Sequence, residues 1–248
     1  MRVEAEPTVR VAMWSGPRNI STAMMRAWGS RGDTVVVDEP FYAYYLAVSG
    51  VDHPGRAEAL ASQPTDWRAV IPELIDGALP AGRSIHYQKH MTHHMLLEVD
   101  LGWLGRVRNA FLIRDPVDVV ASYARRRDAF TLDDIGLVRQ CELFEIIAER
   151  MGAAPPVIDA RQVLADPAGV LARLCAALRV PFDAAMLSWP PGRRPTDGVW
   201  APYWYSAVEN STGFAPPPPP SPALTGALAR LAESARPFYE HLDRWRLA

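Results

Sequence analysis

The chain of 248 residues has few cysteines, no long apolar run and no excess of positive charge. Its two cysteines, Cys141 and Cys175, form no CxxC motif and no Cys/His cluster. We expect them to be buried free thiols in a reducing, cytoplasmic compartment. No stretch approaches the roughly 20 apolar residues of a spanning helix, and no apolar signal segment follows the polar N-terminus, so we expect no membrane association.

The net charge of the chain disfavours nucleic acid as a partner. With a net charge of -2, the chain has no overall basic field for nucleic acid, so local groups must hold any anionic ligand. Lysine is scarce as well, because Lys89 is the single lysine among 26 basic residues. Either the compact ammonium group of lysine is required at that position, or the lysine is present there by chance in an arginine-rich chain.

Short apolar segments alternate with helical patterns over residues 9–180, which predicts a three-layer α/β sandwich with helices on both faces. The central sheet should be mostly parallel, with about five strands at residues 9–14, 34–37, 84–89, 109–113 and 156–159. We expect a single domain over residues 1–248. Beyond its core we expect an arginine-rich and aromatic loop at 190–214, a proline-rich spacer at 215–222 and a last helix at 223–247.

Helices are expected at residues 19–28, 115–127, 132–151 and 166–178, with several short ones between 41 and 79. Asn19 or Ser21 could cap the first of them, and Asp115 with Pro116 begins the second.

The turn after the first strand has the composition of an anion-binding loop. Backbone N–H groups at a helix N-terminus attract anions, and Arg18, Ser21 and Thr22 add side-chain donors. A nucleotide-triphosphate loop would read GxxxxGK[ST], but Thr22 stands at its lysine position and Ala23 at its Mg²⁺-binding hydroxyl. The loop therefore suits a phosphate donor that needs no Mg²⁺.

A second anion site follows the fourth strand. Arg114 ends that strand at the carboxyl edge of the sheet, and Ser122 lies on the following helix. An arginine and a serine placed in this way can grip one phosphate from two sides.

Together the two segments resemble the PAPS-dependent sulfotransferases, particularly the bacterial and carbohydrate-type members. The family's 5′-phosphosulfate loop resembles Pro17, Arg18, Asn19, Ile20, Ser21 and Thr22, and its R-D-P-x-D-x-x-x-S motif for the 3′-phosphate matches Arg114 to Ser122. The resemblance covers about residues 9–180 and implies a P-loop-type fold, PAPS as donor, PAP as product and no metal. Many members have glycine where Ile20 stands.

Sulfuryl transfer needs a base for the acceptor hydroxyl and a cation for the leaving phosphate oxygen, and Arg18 is placed for the second role. Two residues compete for the first. Glu39 follows the second strand, where carbohydrate-type members have a catalytic glutamate. His90 follows the third strand, where cytosolic members have a catalytic histidine. We expect both to line the site, and the sequence does not rank them.

The acceptor is expected to be a small molecule or a carbohydrate. Its predicted contacts are Phe41, Tyr42, Lys89, Tyr203 and Trp204, and the resemblance implies that Arg193 and Arg194 close over the 3′-phosphate. A solvated arginine pair is the alternative interpretation. The oligomeric state cannot be read from the sequence.

Three other functions stay open at this point: a small-molecule kinase of the same fold, a non-catalytic nucleotide-binding protein, and a pyridoxal enzyme that uses Lys89 as its Schiff base. The spacing of His90, His93 and His94 raises a metal site, which the absence of an HExxH pattern disfavours.

Overall fold

The computed structural model describes residues 8–127, 129–219 and 221–248, and its centre is a parallel sheet. The strands lie in the order β2-β3-β1-β4-β5, and all neighbours are parallel. This confirms the predicted α/β fold with helices on both faces. The strands are Val9–Ser15 (β1), Thr34–Asp38 (β2), Ile85–Met91 (β3), Arg108–Ile113 (β4) and Val157–Asp159 (β5).

Twelve α-helices occur among the described residues: Ser21–Gly29 (α1), Tyr42–Ser49 (α2), Arg56–Ser62 (α3), Trp67–Asp76 (α4), Pro116–Ala124 (α5), Leu132–Ile135 (α6), Leu137–Met151 (α7), Ala160–Ala165 (α8), Pro167–Ala177 (α9), Ala201–Trp204 (α10), Ser206–Glu209 (α11) and Gly226–Asp243 (α12). None of these is long and apolar enough to cross a membrane. Part of the predicted proline spacer, Pro220, lies outside the described residues.

Two helix predictions need correction. The helix expected over residues 132–151 is two helices, because Gly136 between them has a left-handed backbone (φ 72°). A Cβ at this glycine would lie 2.7 Å from Thr92 Oγ1, so the close approach requires glycine. The helix after β4 ends at Ala124, three residues before the predicted end.

The sheet separates two apolar layers. On one face β1 and β3 pack against α1, α9 and the buried side chains of Trp189 and Trp200. On the other face Trp14 and Phe111 pack with α7, α12 and the segment around Trp103. Because all strands are parallel, β1, β2, β3 and β4 all end at one edge of the sheet, where both predicted anion motifs begin.

Candidate active site

A cavity of about 470 Å³ opens at this edge of the sheet. Residues 17–23 after β1 form one wall, and the ends of β2 and β3 contribute Glu39 and Lys89. The segment between Trp200 and Pro218 covers it from the other side. The cavity therefore brings the two predicted anion motifs and one predicted base to a single place.

The loop after β1 is held in an unusual backbone conformation. Arg18 (φ 62°) and Ile20 (φ 56°) are both left-handed, which costs free energy in residues other than glycine, most of all in a β-branched one. The Arg114 guanidinium donates from Nη1 to the Arg18 carbonyl at 2.7 Å, and the Asn19 amide donates to the Leu112 carbonyl at 3.2 Å. The second motif thus fixes the shape of the first.

The N-terminus of α1 points its unpaired N–H groups into this loop. The helix begins at Ser21, its capping residue is Ile20, and no side chain caps it. The predicted capping role of Asn19 or Ser21 is therefore wrong, because the Asn19 amide is turned to β4 instead. Uncapped N–H groups and the helix dipole favour an anion here.

The positive charges of the Arg18 and Arg114 guanidinium groups have few carboxylates near them. Arg18 Nε donates to Ser122 Oγ at 3.1 Å, and within residues 8–127, 129–219 and 221–248 no carboxylate lies within 4.0 Å of it. In the same described ranges, the one carboxylate within 4.0 Å of the Arg114 guanidinium is that of Asp118, whose Oδ2 lies 4.0 Å from Arg114 Nε. Burial lowers the pKa of both groups, and the neighbouring Arg125 lowers it further. Two half-buried guanidiniums beside Ser122 can hold an anion such as phosphate.

A buried ionic cluster lies at the other end of the loop. Lys89 Nζ donates to Asp38 Oδ1 at 2.8 Å, to the Tyr205 hydroxyl at 2.8 Å and to Glu39 Oε1. Tyr205 in turn donates to Asp38 Oδ2 at 2.6 Å. Burial alone would lower the pKa of Lys89, but the two carboxylates outweigh it and raise that pKa. Lys89 is therefore a charged anchor for Glu39 and for the covering segment.

Glu39 is the one carboxylate of this cluster that reaches the cavity. Its side chain is 12% exposed and its backbone is left-handed, with φ 43°. Strain of this kind in a residue other than glycine is found at functional sites. Burial raises the pKa of its carboxyl group; the Lys89 ammonium opposes this rise and the Asp38 carboxylate adds to it. A carboxylate with a raised pKa is a suitable proton acceptor.

The structure does not bring His90 to the cavity, which corrects the expectation that Glu39 and His90 both line it. Successive side chains of a strand point to opposite faces, so His90 points away from Lys89. Its ring stacks on Trp14 at 4.3 Å, and its Nε2 lies 3.2 Å from Gln88 Oε1. Burial lowers the pKa of His90 to about 3.

Of the residues predicted to contact the acceptor, some line the cavity and others do not. Tyr42, Lys89 and Trp204 line the cavity. Phe41 is buried on the opposite side of the sheet near His90, and Tyr203 packs on Gly55 and is 42% exposed.

Arg193 and Arg194 also stay outside the cavity, contrary to the expectation that they close over it. Arg193 pairs with Glu209 at 3.1 Å, and Arg194 donates to the carbonyl oxygen of Pro190. Both side chains are thus engaged within their own loop.

Several functional residues in or beside the cavity were not predicted from the sequence. Tyr205 lines the cavity and Asp38 lies outside it; the two are 167 residues apart and only the fold joins them. His53, His93 and His94 add three imidazoles, and burial lowers the pKa of each, that of His53 to about 4 and that of His93 to about 3. The two adjacent histidines directly after β3, His93 and His94, were the sequence signal from which these cavity residues could have been found. No group of three possible metal ligands occurs among the residues that the structure describes.

Comparison with known proteins agrees with this geometry. A family model described as "Sulfotransferase domain" matches residues 9–245. The chain belongs to the sulfotransferase domain family. The solved sulfotransferase domain from the Synechococcus PCC 7002 olefin synthase superposes with a TM-score of 0.50 at 17% identity, covering 92% of this chain and 94% of that one, so the two share a fold.

Two curated relatives come from Arabidopsis thaliana. They are "Branched-chain-amino-acid aminotransferase-like protein 1", 37% identical over 86% of this chain, and "protein 2" of the same name, 34% identical over 82%. The matches span only 38% and 36% of the length of those relatives. Their names therefore describe proteins much longer than the part that this chain resembles.

Proposed function

We propose that this protein transfers a sulfuryl group from PAPS to a hydroxyl of a small-molecule or carbohydrate acceptor, in the cytoplasm. The observation that carries the proposal is the meeting of two guanidiniums with little negative charge beside them, Arg18 and Arg114, with the Glu39 carboxylate at one cavity. Two anion sites fit a nucleotide that is phosphorylated at both its 3′ and 5′ positions. The free, buried state of Cys141 and Cys175 suits a reducing compartment.

The residues present fit such a donor. The uncapped N-terminus of α1, the backbone of residues 17–22 and Arg18 would hold the 5′-phosphosulfate, and Arg114 with Ser122 would hold the 3′-phosphate. When bound, PAPS supplies a sulfuryl group whose S–O bond to the 5′-phosphate breaks as the acceptor oxygen bonds to sulfur.

The chain's own groups then have separate tasks. Glu39 takes the proton of the acceptor hydroxyl, which raises the nucleophilicity of that oxygen. Arg18 stabilises the negative charge that develops on the departing phosphate oxygen. Lys89 holds Glu39 Oε1 and fixes the direction of the carboxylate. Tyr42 and Trp204 form aromatic walls on which an acceptor can pack.

Two of the rival functions have weaker physical support. A kinase needs a lysine and a Mg²⁺-binding hydroxyl in its loop, and Thr22 and Ala23 occupy those positions. A pyridoxal enzyme needs an unprotonated lysine, whereas the Lys89 ammonium is held by two carboxylates that raise its pKa. A non-catalytic nucleotide-binding protein would bind PAP without turnover.

We expect PAP to raise the melting temperature of the protein without Mg²⁺, because both of its phosphates meet cationic groups. ATP, with or without Mg²⁺, should raise it less, since the loop has no Mg²⁺ ligand and the 3′-phosphate is missing. Differential scanning fluorimetry at matched ligand concentrations measures this difference. A larger shift with ATP and Mg²⁺ would favour the kinase.

Arg114→Ala should weaken PAP binding by about 1.5–3 kcal/mol, the range for hydrogen bonds to charged groups. Adenosine 5′-phosphosulfate should lose much less, because it has no 3′-phosphate. Isothermal titration calorimetry with both ligands tests this, and Arg193→Ala is the matched control because Arg193 does not line the cavity. An equal loss for the two ligands would show that Arg114 only supports the loop.

A further inference from the structure

His94 is a buried imidazole beside the carboxylate to which we assign the role of base. Its Nδ1 has no hydrogen-bond partner within the part of the chain that the structure describes. Leaving a buried polar atom unpaired costs free energy, so such an atom requires an explanation. The nearest carboxylate oxygen is Glu39 Oε2, 4.0 Å from His94 Nδ1. This is about one ångström longer than a hydrogen bond.

The ring of His94 has a fixed orientation. It is stacked between two tyrosines, with ring centroids 4.8 Å from Tyr42 at 14° and 4.8 Å from Tyr45 at 24°. Neither stacking contact uses a nitrogen atom, so the aromatic packing holds the ring without occupying Nδ1. A movement that shortens the distance between His94 Nδ1 and Glu39 Oε2 must therefore come from Glu39. This residue has a left-handed backbone and directly follows the end of β2.

We propose that His94 is a positioning residue for the base: its Nδ1–H donates to Glu39 Oε2 once the nucleotide is bound. This inference rests on the proposed function. Lys89 already holds Oε1, so a contact at Oε2 fixes the plane of the carboxylate from both oxygens. One lone pair of Oε2 stays free for the acceptor proton. Catalytic hydrogen bonds are often long without substrate and shorten in the complex.

The charge state of His94 agrees with this role. Burial, together with the neighbouring His93 and His53, lowers its pKa well below the ordinary value, so the imidazole is neutral and can carry a single proton on Nδ1. A neutral donor orients the carboxylate without holding it as firmly as a second cation would. Among the described residues, the other charged or titratable groups facing Glu39 are Lys89, Asp38, Tyr205 and Tyr42.

His94→Phe tests the proposal, because phenylalanine keeps an aromatic ring between the two tyrosines and removes the nitrogen. We measure turnover with labelled PAPS on three probe acceptors, methyl β-glucoside, phenol and glycerol, and continue with the one that is sulfated fastest. We expect kcat to fall about tenfold, with little change in the KM of the acceptor or in the Kd of PAP. His94→Asn, whose amide can donate from nearly the same place, should restore much of the loss.

The second readout is the pKa of Glu39 in the protein–PAP complex, measured from the pH dependence of its carboxyl ¹³C chemical shift. A hydrogen bond to the ionised form lowers that pKa, so His94→Phe should raise it and move the acid limb of the acceptor's kcat/KM profile, recorded at saturating PAPS, to higher pH. His93→Phe, which removes the adjacent imidazole, should not raise it. An unchanged Glu39 pKa in His94→Phe overturns the proposal, even where kcat falls.

These outcomes separate the two proposals. No sulfation of any probe by the wild-type protein counts against the proposed function, while the ¹³C titration still tests His94. Turnover by the wild-type protein together with unchanged kcat in His94→Phe counts against the role of His94 alone.

Discussion

Glu39→Gln should lower turnover by about 10²–10⁴-fold, the range for loss of a general base. Glutamine has nearly the same shape and its amide oxygen can still accept from Lys89, but it cannot take a proton from the acceptor hydroxyl. The affinity for PAP should hardly change, because the proposed phosphate sites are formed by other residues. Steady-state kinetics with calorimetric measurement of the PAP Kd separates the two effects.

Glu58→Gln is the matched control, because Glu58 is exposed on α3 and outside the cavity. It should have normal turnover. Near-normal turnover in Glu39→Gln would remove Glu39 from the mechanism while leaving the fold and the donor unaffected. A large loss of PAP binding in this variant would mean that the substitution disturbs the loop, and the kinetic loss could not then be assigned to the base.

Lys89→Met should lower the free energy of unfolding by about 3–5 kcal/mol, the loss expected when one partner of a buried ion pair is removed. The Lys89 side chain is 1% exposed and lies between two carboxylates, which would be left buried and without their cation. The contact from Lys89 to Tyr205 is lost as well, so the covering segment should loosen. Equilibrium unfolding in urea measures the change.

The pH dependence of this loss has a definite sign. Burial raises the pKa of Glu39 in the folded protein, and removing the ammonium takes away an influence that lowers it. A carboxyl group whose folded pKa is raised contributes stability that is present below its unfolded pKa and is lost as the pH rises through the folded pKa. The difference between Lys89→Met and the wild type should therefore be largest near neutral pH and smaller in mild acid.

Arg106→Met is the comparison for Lys89→Met, because Arg106 pairs with Asp76 on the surface, where the two side chains are 54% and 60% exposed. Such pairs contribute little, so its stability should be nearly unchanged. If Lys89→Met is as mild as Arg106→Met, the ionic cluster does not anchor Glu39.

The fold and the meeting of the two anion motifs could be predicted from the sequence because both depend on local patterns. Alternation of apolar strands with helices predicts a parallel sheet, and the carboxyl ends of parallel strands meet at one edge. Arg18, Arg114 and Ser122 could thus be assigned to one place without knowledge of any long-range contact, and the structure brings them together.

The choice between Glu39 and His90 could not be made in this way. All seven residues of β3 are buried, so no alternation of polar and apolar residues shows which face Lys89 or His90 takes. Only the packing of Tyr87 on Trp28 and of His90 on Trp14 assigns the two faces.

The contact between Asp38 and Tyr205 and the outward direction of Arg193 both depend on the path of the irregular segment over residues 190–214. That segment has little periodicity and gives no local signal for the direction of its side chains.

The most direct test of the central claim is a crystal structure of the protein with PAP. We expect the 5′-phosphate at the N-terminus of α1 within hydrogen-bond distance of Arg18, and the 3′-phosphate on Arg114 and Ser122. The Glu39 carboxylate should face the side of the 5′-phosphate where the sulfuryl group would stand. A nucleotide bound outside this cavity, or bound with Arg114 away from its 3′-phosphate, would contradict the account.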